Sequence, residues 1–341
     1  MIRINVQTSG ASRTGSFIEK FSVPDAALDV IDKIVTQIEQ SVLEYLPSVF
    51  QTEDVRNALK EIIGRETSAD DAEIFVKEAY RRGVFSIEDE AKNLYKSGSF
   101  YGRLDVFVIN ENETYRSFPV DVRKALDDWY FAAYLEGLDP DLSSRPTDDK
   151  VLTLEETLHG IDEDSRQIYL ALCDCRSLSG DCGEPILTCL SYRNAPNTFA
   201  HRGLSKPITK EEAKQVVLMA HKAGLVHTRN RGGICNCCSD CCYLFRARAA
   251  RNSGALWPRA DKVISIDSEI CVSCGICAGR CRFTALRLEV GKLALESEKC
   301  VGCGICAGIC PAGALKLEKR CSETEVSGHL PEQIHEYEGG N

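Results

Sequence analysis

The first 172 residues of this 341-residue chain contain no cysteine, so that half cannot build a thiolate metal centre or a disulfide. No apolar run approaches the roughly 18 residues that a helix needs to cross a bilayer, and no membrane span is expected. The opening Met-Ile-Arg-Ile-Asn-Val lacks the charged-then-apolar pattern of an export signal, which makes the cytoplasm the expected location. Also missing are a G-x-G-x-x-G after a strand, a G-x-x-x-x-G-K-[ST] phosphate loop, a G-x-S-x-G elbow and a C-x-x-C-H haem site. These absences leave no flavin, nicotinamide, nucleotide or haem site to read. Basic residues are in deficit, 41 Lys+Arg against 51 Asp+Glu, for a net charge of −10. Residues 1–165 carry 18 basic and 33 acidic side chains, a poor surface for phosphate backbones, so no nucleic-acid partner is expected.

What the chain has is cysteine. All 18 fall between Cys173 and Cys321. In a reducing compartment a disulfide framework at that density is not expected, and metal binding or redox chemistry is. The charge balance turns over in the same region, to +5 across residues 166–341, which suits neutralisation of anionic metal–thiolate centres.

The cysteine-free half reads as α/β. Ile2, Ile4 and Val6 alternate with polar residues, as do Phe17, Glu19, Phe21 and Val23, which predicts a hairpin. Pro24 then opens a predicted helix of about 22 residues, with the stripe Leu28, Ile31, Ile34, Val35, Ile38, Val42, Tyr45 and Leu46, ended by Pro47. This start resembles the β-grasp domain of plant-type ferredoxins. Without cysteine it cannot hold their [2Fe–2S] cluster, so a packing role is expected. Thr52 caps a predicted helix over 53–63, and Ser68 with Asp71 begins another over 69–82, stopped by Gly83. Tyr101–Ile109 and Glu113–Val120 read as a strand pair, giving a winged-helix outline over about 50–120. Its second helix mixes Asp70, Asp71, Glu73 and Glu78 with Lys77, Arg81 and Arg82, which favours protein contact over DNA. A helix over 121–136 carries Trp129, Tyr130, Phe131 and Tyr134 as core. Residues 139–150 are polar with two prolines and read as a linker.

The strongest pattern is Cys271-x2-Cys274-x2-Cys277-x3-Cys281, repeated 29 residues later as Cys300-x2-Cys303-x2-Cys306-x3-Cys310-Pro311. The flanks repeat as well, Cys-Val-Ser-Cys-Gly-Ile-Cys-Ala-Gly-Arg-Cys against Cys-Val-Gly-Cys-Gly-Ile-Cys-Ala-Gly-Ile-Cys. Over roughly 262–318 the chain resembles the bacterial two-cluster ferredoxin domain. That resemblance implies two [4Fe–4S] clusters, one on Cys271, Cys274, Cys277 and Cys310, the other on Cys300, Cys303, Cys306 and Cys281. Gly275, Gly302 and Gly304 would let backbone approach the sulfides. Arg282 departs from the family, which has proline after the fourth cysteine, and would put positive charge near a cluster.

Nine cysteines lie upstream: Cys173, Cys175, Cys182 and Cys189, then Cys235, Cys237, Cys238, Cys241 and Cys242. They resemble the cysteine-rich segments that precede ferredoxin domains in multi-cluster proteins of anaerobes. One or two further [4Fe–4S] clusters, a zinc site within 235–242, or a dithiol relay are the readings in that order. Adjacent cysteines point in different directions, so 237/238 and 241/242 need not share a metal. Arg176, Arg193, Arg202, Arg229, Arg231 and Arg246 lie among them in sequence, with His201, His221 and His227. A helix over 209–224, capped by Thr209 and stopped by Gly224, separates the two groups and is expected to bring them together.

The expected organisation is α+β: an interaction domain over 1–138, the linker 139–150, a cysteine-rich metal-binding segment over 151–260, the two-cluster domain over 261–320 and a tail over 321–341. The expected function is relay of low-potential single electrons to or from a partner oxidoreductase, more as an electron-transfer protein or subunit than as a stand-alone catalyst. The alternatives are a reductase with a substrate-binding cluster upstream, for which Asp174, Asp240 and Arg202 are candidates, and a redox-sensing regulator.

Overall fold

The computed structural model describes residues 16–141, 144–180 and 182–320. The described residues divide into two units, the first formed by those up to Tyr130 with Asn194–Leu204, the second by those in Phe131–Arg193 and from Ser205 on.

In the first unit the segment expected as a second strand is a short helix, α1 (Ser16–Lys20). Phe17 and Phe21 stack at 5.5 Å, a one-turn spacing that places both rings in the core. Ile2, Ile4 and Val6 lie outside the described residues. The long helix expected after Pro24 is three pieces: a 3-10 turn (Asp25–Val30), α2 (Ile31–Ile34) and α3 (Gln37–Tyr45). Thr36 breaks it by forming a capping box with Glu39, satisfying backbone donors that a continuous helix would have paired. Strand β1 (Val49–Phe50), α4 (Thr52–Ile63) and α5 (Ala69–Arg81) follow, with Gly64 left-handed at the end of α4 and Ser68 capping α5. Then come β2 (Phe85–Asp89) and β3 (Leu94–Ser97), in a three-stranded antiparallel sheet ordered β1-β3-β2. Helix, strand, two helices and a hairpin is winged-helix order. The hairpin, however, is built from 85–97. The residues expected as strands form α6 (Phe100–Asn110) and α7 (Asn112–Arg116).

Helix α8 (Val120–Glu136) carries the aromatic run, and in this unit Trp129 meets Phe100 edge-on while Tyr130 stacks on Tyr101 at 4.1 Å. Residues 194–204 belong to this unit. Asn197 exchanges two hydrogen bonds with the Ile87 backbone (2.8 and 3.0 Å), so its amide takes the place of a strand along the edge of β2.

The second unit centres on a six-stranded antiparallel sheet ordered β4-β8-β9-β6-β5-β7. Its elements in chain order are β4 (Lys150–Leu152), α9 (Leu154–Glu163), β5 (Ile168–Ala171), α10 (Asp174–Ser179), β6 (Cys189–Ser191), β7 (Lys206–Ile208), α11 (Lys210–Ala223), β8 (Val226–Asn230), β9 (Gly233–Cys237) and α12 (Tyr243–Arg251). Thr209 and Gly224 bound α11 as expected, the former in a capping box with Glu212. Helices α9 and α11 cover one sheet face, burying Ile161, Ala213 and Val217 against Ile168, Leu190 and Ile234. Side chains alternate along β9, so Cys235 and Cys237 point away from Ile234, to the opposite face. The second half of the expected linker is packed here. The Trp257 indole donates to Thr147 (2.7 Å), and Asp149 is buried and accepts from Asn230 (2.9 Å).

The 29-residue repeat is visible as structure. The first copy is β10 (Lys262–Ile266), α13 (Ile276–Arg280) and β11 (Leu286–Glu289); the second is β12 (Lys292–Leu295), α14 (Ile305–Gly308) and β13 (Leu315–Lys319). Strand β10 pairs with β13 and β11 with β12, so each copy finds its strand partners in the other. This module shares a core with the cysteine-rich segment. Val301, Ile305, Cys303 and Phe283 pack with Cys237, Cys242, Phe245 and Trp257.

Candidate metal centres

In each repeat two cysteines sit in the loop before a short helix, one on that helix and one just after it. The loop needs left-handed backbone. Ser273 and its repeat mate Gly302 have φ of 50° and 66°, and Gly275 and Gly304, which cap the helices, 76° and 78°. A Cβ on Gly275 would meet Leu288 at 2.7 Å, and one on Gly304 would meet Leu317 at 2.7 Å. Gly302 is tighter still, with the Lys262 carbonyl 2.2 Å from where a Cβ would stand. The glycines thus serve backbone conformation and close packing.

Cys271, Cys274, Cys277 and Cys310 line one hollow, walled by Leu293, Ala312, Ala314 and Leu315. Burial raises the Cys277 thiol above its ordinary value, with smaller contributions from Cys310 and Cys274. Cys310 goes the other way, pulled down by backbone N–H groups, the Ala314 amide standing 3.4 Å from its sulfur. In the second set burial pushes Cys303 up to about 12 and Cys306 up as well, and Cys281 and Cys300 stand near enough to both to add to the rise. Each set draws its fourth thiol from the other repeat. Four thiols around one hollow, with backbone amides aimed at the Cys310 sulfur, fit a cationic soft-metal cluster, which would deprotonate them. Arg282 is occupied elsewhere: it donates to the Gly224 and Ala223 carbonyls (both 2.8 Å) at the end of α11 and pairs with Glu184.

The nine upstream thiols fall into two groups. Cys173, Cys175, Cys242, Cys237, Cys235 and Cys189 form a continuous string of neighbouring thiols. Along it the sulfurs influence one another: Cys189 and Cys237 beside Cys235, and Cys175 and Cys237 beside Cys242, hold Cys235 and Cys242 well below their ordinary values, while Cys175, Cys189 and Cys237 are raised. Cys182, Cys238 and Cys241 form the other group with Asp240, beneath Ala220, Ala223 and Leu225. Each adjacent pair, 237/238 and 241/242, is therefore split between the groups. Cys321 lies outside the described residues.

Arg176 serves both groups. It is 1% exposed, and its Nη2 donates to Thr188 Oγ1 (2.8 Å) and the Asn236 carbonyl (2.9 Å). Its Nε and Nη1 are buried with no hydrogen-bond partner among the described residues. Burial opposes its charge, but the Cys173, Cys238, Cys237 and Cys182 thiolates outweigh burial and raise its pKa. Two unpaired donors on a buried cation, set among thiols, suit an anionic metal–thiolate centre.

Most other basic candidates stand away from sulfur. Arg202, in the first unit, stacks on Tyr80 and donates to the Phe85 (3.0 Å) and Asn197 (3.1 Å) carbonyls. Arg229 joins Asp164, Arg231 pairs with Asp148 at the surface, and Arg246 lies over Phe131 and Tyr243. Arg193 adds a minor positive influence on Cys235. His201 bonds Tyr80 and Glu90. His221 and His227 stand 3.2 Å apart, and His227 contacts Asn236 Oδ1 at 2.7 Å. Burial, chiefly, holds His227 down at about 4, neutral at ordinary pH. Sequence reasoning missed Asn236 and Thr188. Asn236 Nδ2 donates to the Thr188 carbonyl (2.7 Å), bracing the strand that carries Cys235 and Cys237. Its position between two cysteines was the available signal.

Residues 294–316 match the family described as 4Fe-4S binding domain, and the chain carries such a domain there. No curated protein and no solved structure matches the chain.

Proposed function

We propose that the chain relays low-potential single electrons between a partner oxidoreductase and a set of iron–sulfur centres. Two [4Fe–4S] clusters would sit on Cys271, Cys274, Cys277 and Cys310 and on Cys300, Cys303, Cys306 and Cys281. Each would accept and release one electron. The chain's own part is to hold the thiols, exclude water with Leu293, Ala314 and Leu315, and aim backbone amides at sulfur.

The observation that carries this reading is the 4Fe-4S domain match together with the hollow lined by four thiols. The six-thiol string is proposed as a third iron–sulfur centre. No three of Cys175, Cys189, Cys235, Cys237 and Cys242 converge within 4.8 Å, as donors strung around a multinuclear cage need not. Cys303 shares a buried core with Cys235, Cys237 and Cys242, and Phe245 meets Phe283 at 4.7 Å, so the second cluster and this centre would be neighbours. A protein is the proposed docking partner of the winged-helix elements, because α5 begins with Asp70 and Asp71, which repel phosphate.

Iron and acid-labile sulfide on anaerobically purified protein test the proposal, with about twelve irons per chain expected. Cys306→Ala is expected to remove about four of them and one reducible electron-spin signal. Full iron in that variant, or a wild type without a reducible signal, would sink the reading.

A further inference from the structure

Among the described residues, two groups bring three or more metal-ligand atoms within 4.8 Å of one another, and neither lies in the 29-residue repeats. One is Cys173, Asp174 and Cys175, which belongs to the six-thiol string. The other is Cys182, Cys238, Asp240 and Cys241, the only one with four donors. The spacing separates this set chemically from the repeat thiols. A tetrahedral divalent metal with thiolates at about 2.3 Å and a carboxylate oxygen at about 2.0–2.2 Å puts its ligand atoms roughly 3.5–3.8 Å apart. A cubane, whose four irons each take one thiolate, holds its cysteines farther apart, and the repeat thiols form no such close group among the described residues.

The set also has a metal site's environment. Cys238 and Cys241 are 1% and 3% exposed, under Ala220, Ala223 and Leu225, while Asp240 is exposed. Arg176, with two unpaired buried donors, has the thiolates of Cys238 and Cys182 among its nearest charges. Three thiolates and a carboxylate around a dication leave a net charge of about −2, half of which that arginine would offset.

We propose that Cys182, Cys238, Cys241 and Asp240 bind one mononuclear zinc, distinct from the six-thiol string and from the repeat clusters. Three thiolates anchor the ion, those of Cys238 and Cys241 buried and that of Cys182 half-buried, and the exposed carboxylate is its one hard, exchangeable ligand. The proposal is independent of the electron-relay reading.

The test is metal analysis of the full chain, purified without oxygen, with zinc and cobalt as the probes. About one zinc per chain is expected beside the iron. Asp240→Ala, at an exposed position that should not disturb folding, is expected to weaken zinc by about 10- to 100-fold in chelator competition. Cys241→Ala is expected to abolish zinc and leave iron unchanged. Cobalt in place of zinc should give tetrahedral ligand-field bands and thiolate charge-transfer absorption sized for three sulfurs. Absence of zinc from the wild type, loss of iron in Cys241→Ala, or zinc unaffected by both substitutions would each overturn the assignment. Iron in the repeats persists in every one of these results unless the relay reading itself fails.

Discussion

Arg103 has no exposed surface, yet its charge is well placed. Its Nε and Nη2 donate to the Ile34 carbonyl (2.9 and 2.6 Å), and Nη2 also reaches Glu111 (2.6 Å). Glu111 in turn takes Arg82 (2.9 Å), which also bonds Glu39 (2.9 Å). Burial still pulls Arg103 down to about 10. Removing Glu111 strands a buried cation, so Glu111→Ala should cost about 3 kcal/mol in urea unfolding. A loss under about 1 kcal/mol would mean that Ile34 alone suffices. Asp164 shows the opposite sign. The Arg166 side chain, outweighing burial, holds its carboxyl down at about 2, with Arg229 adding to the effect. A carboxylate depressed in the folded state stabilises it above the unfolded pKa of about 3.9 and loses that contribution as pH falls towards 2. Wild type should therefore exceed Asp164→Asn by about 2 kcal/mol at pH 7, with the gap narrowing below about pH 4. A gap that does not change with pH would refute the ion pair's role.

At the scale of elements, caps and repeats were legible and buried helices were not. Thr209 with Glu212, Gly224, Ser68 and Gly64 mark their helices because caps are local chemistry. The 29-residue cysteine period likewise survives as matching turns and helices. Helix α6 was read as a strand because eight of its eleven residues are buried, leaving no polar face to reveal a 3.6-residue period. Its Phe, Val and Ile content then looks like strand. The division of the nine upstream thiols was likewise out of reach, since it depends on Cys182 returning from a distant loop. Turn geometry makes its own prediction. Gly302→Ala combines a φ of 66° with a clash on the Lys262 carbonyl, and should lower both iron content and melting temperature. Gly308→Ala, with nothing within 4 Å, should change neither. Equal behaviour of the two would mean that the loop relaxes.

Taken whole, the chain is not a string of separate beads. Residues 194–204 leave the second unit's sequence to complete the first, where Asn197 covers β2 and Arg202 grips the Tyr80 and Phe85 carbonyls. Arg202→Met should destabilise the first unit by about 2 kcal/mol and open 194–204 to protease, and unchanged digestion would count against the clamp. No contiguous cut at residue 138 or 150 would isolate the first unit intact.

In the repeats, every strand of one copy pairs with a strand of the other. A peptide carrying a single copy would expose two unfilled strand edges and could complete itself only against an identical twin. The module thus has the form of a dimer of two equal peptides written into one chain.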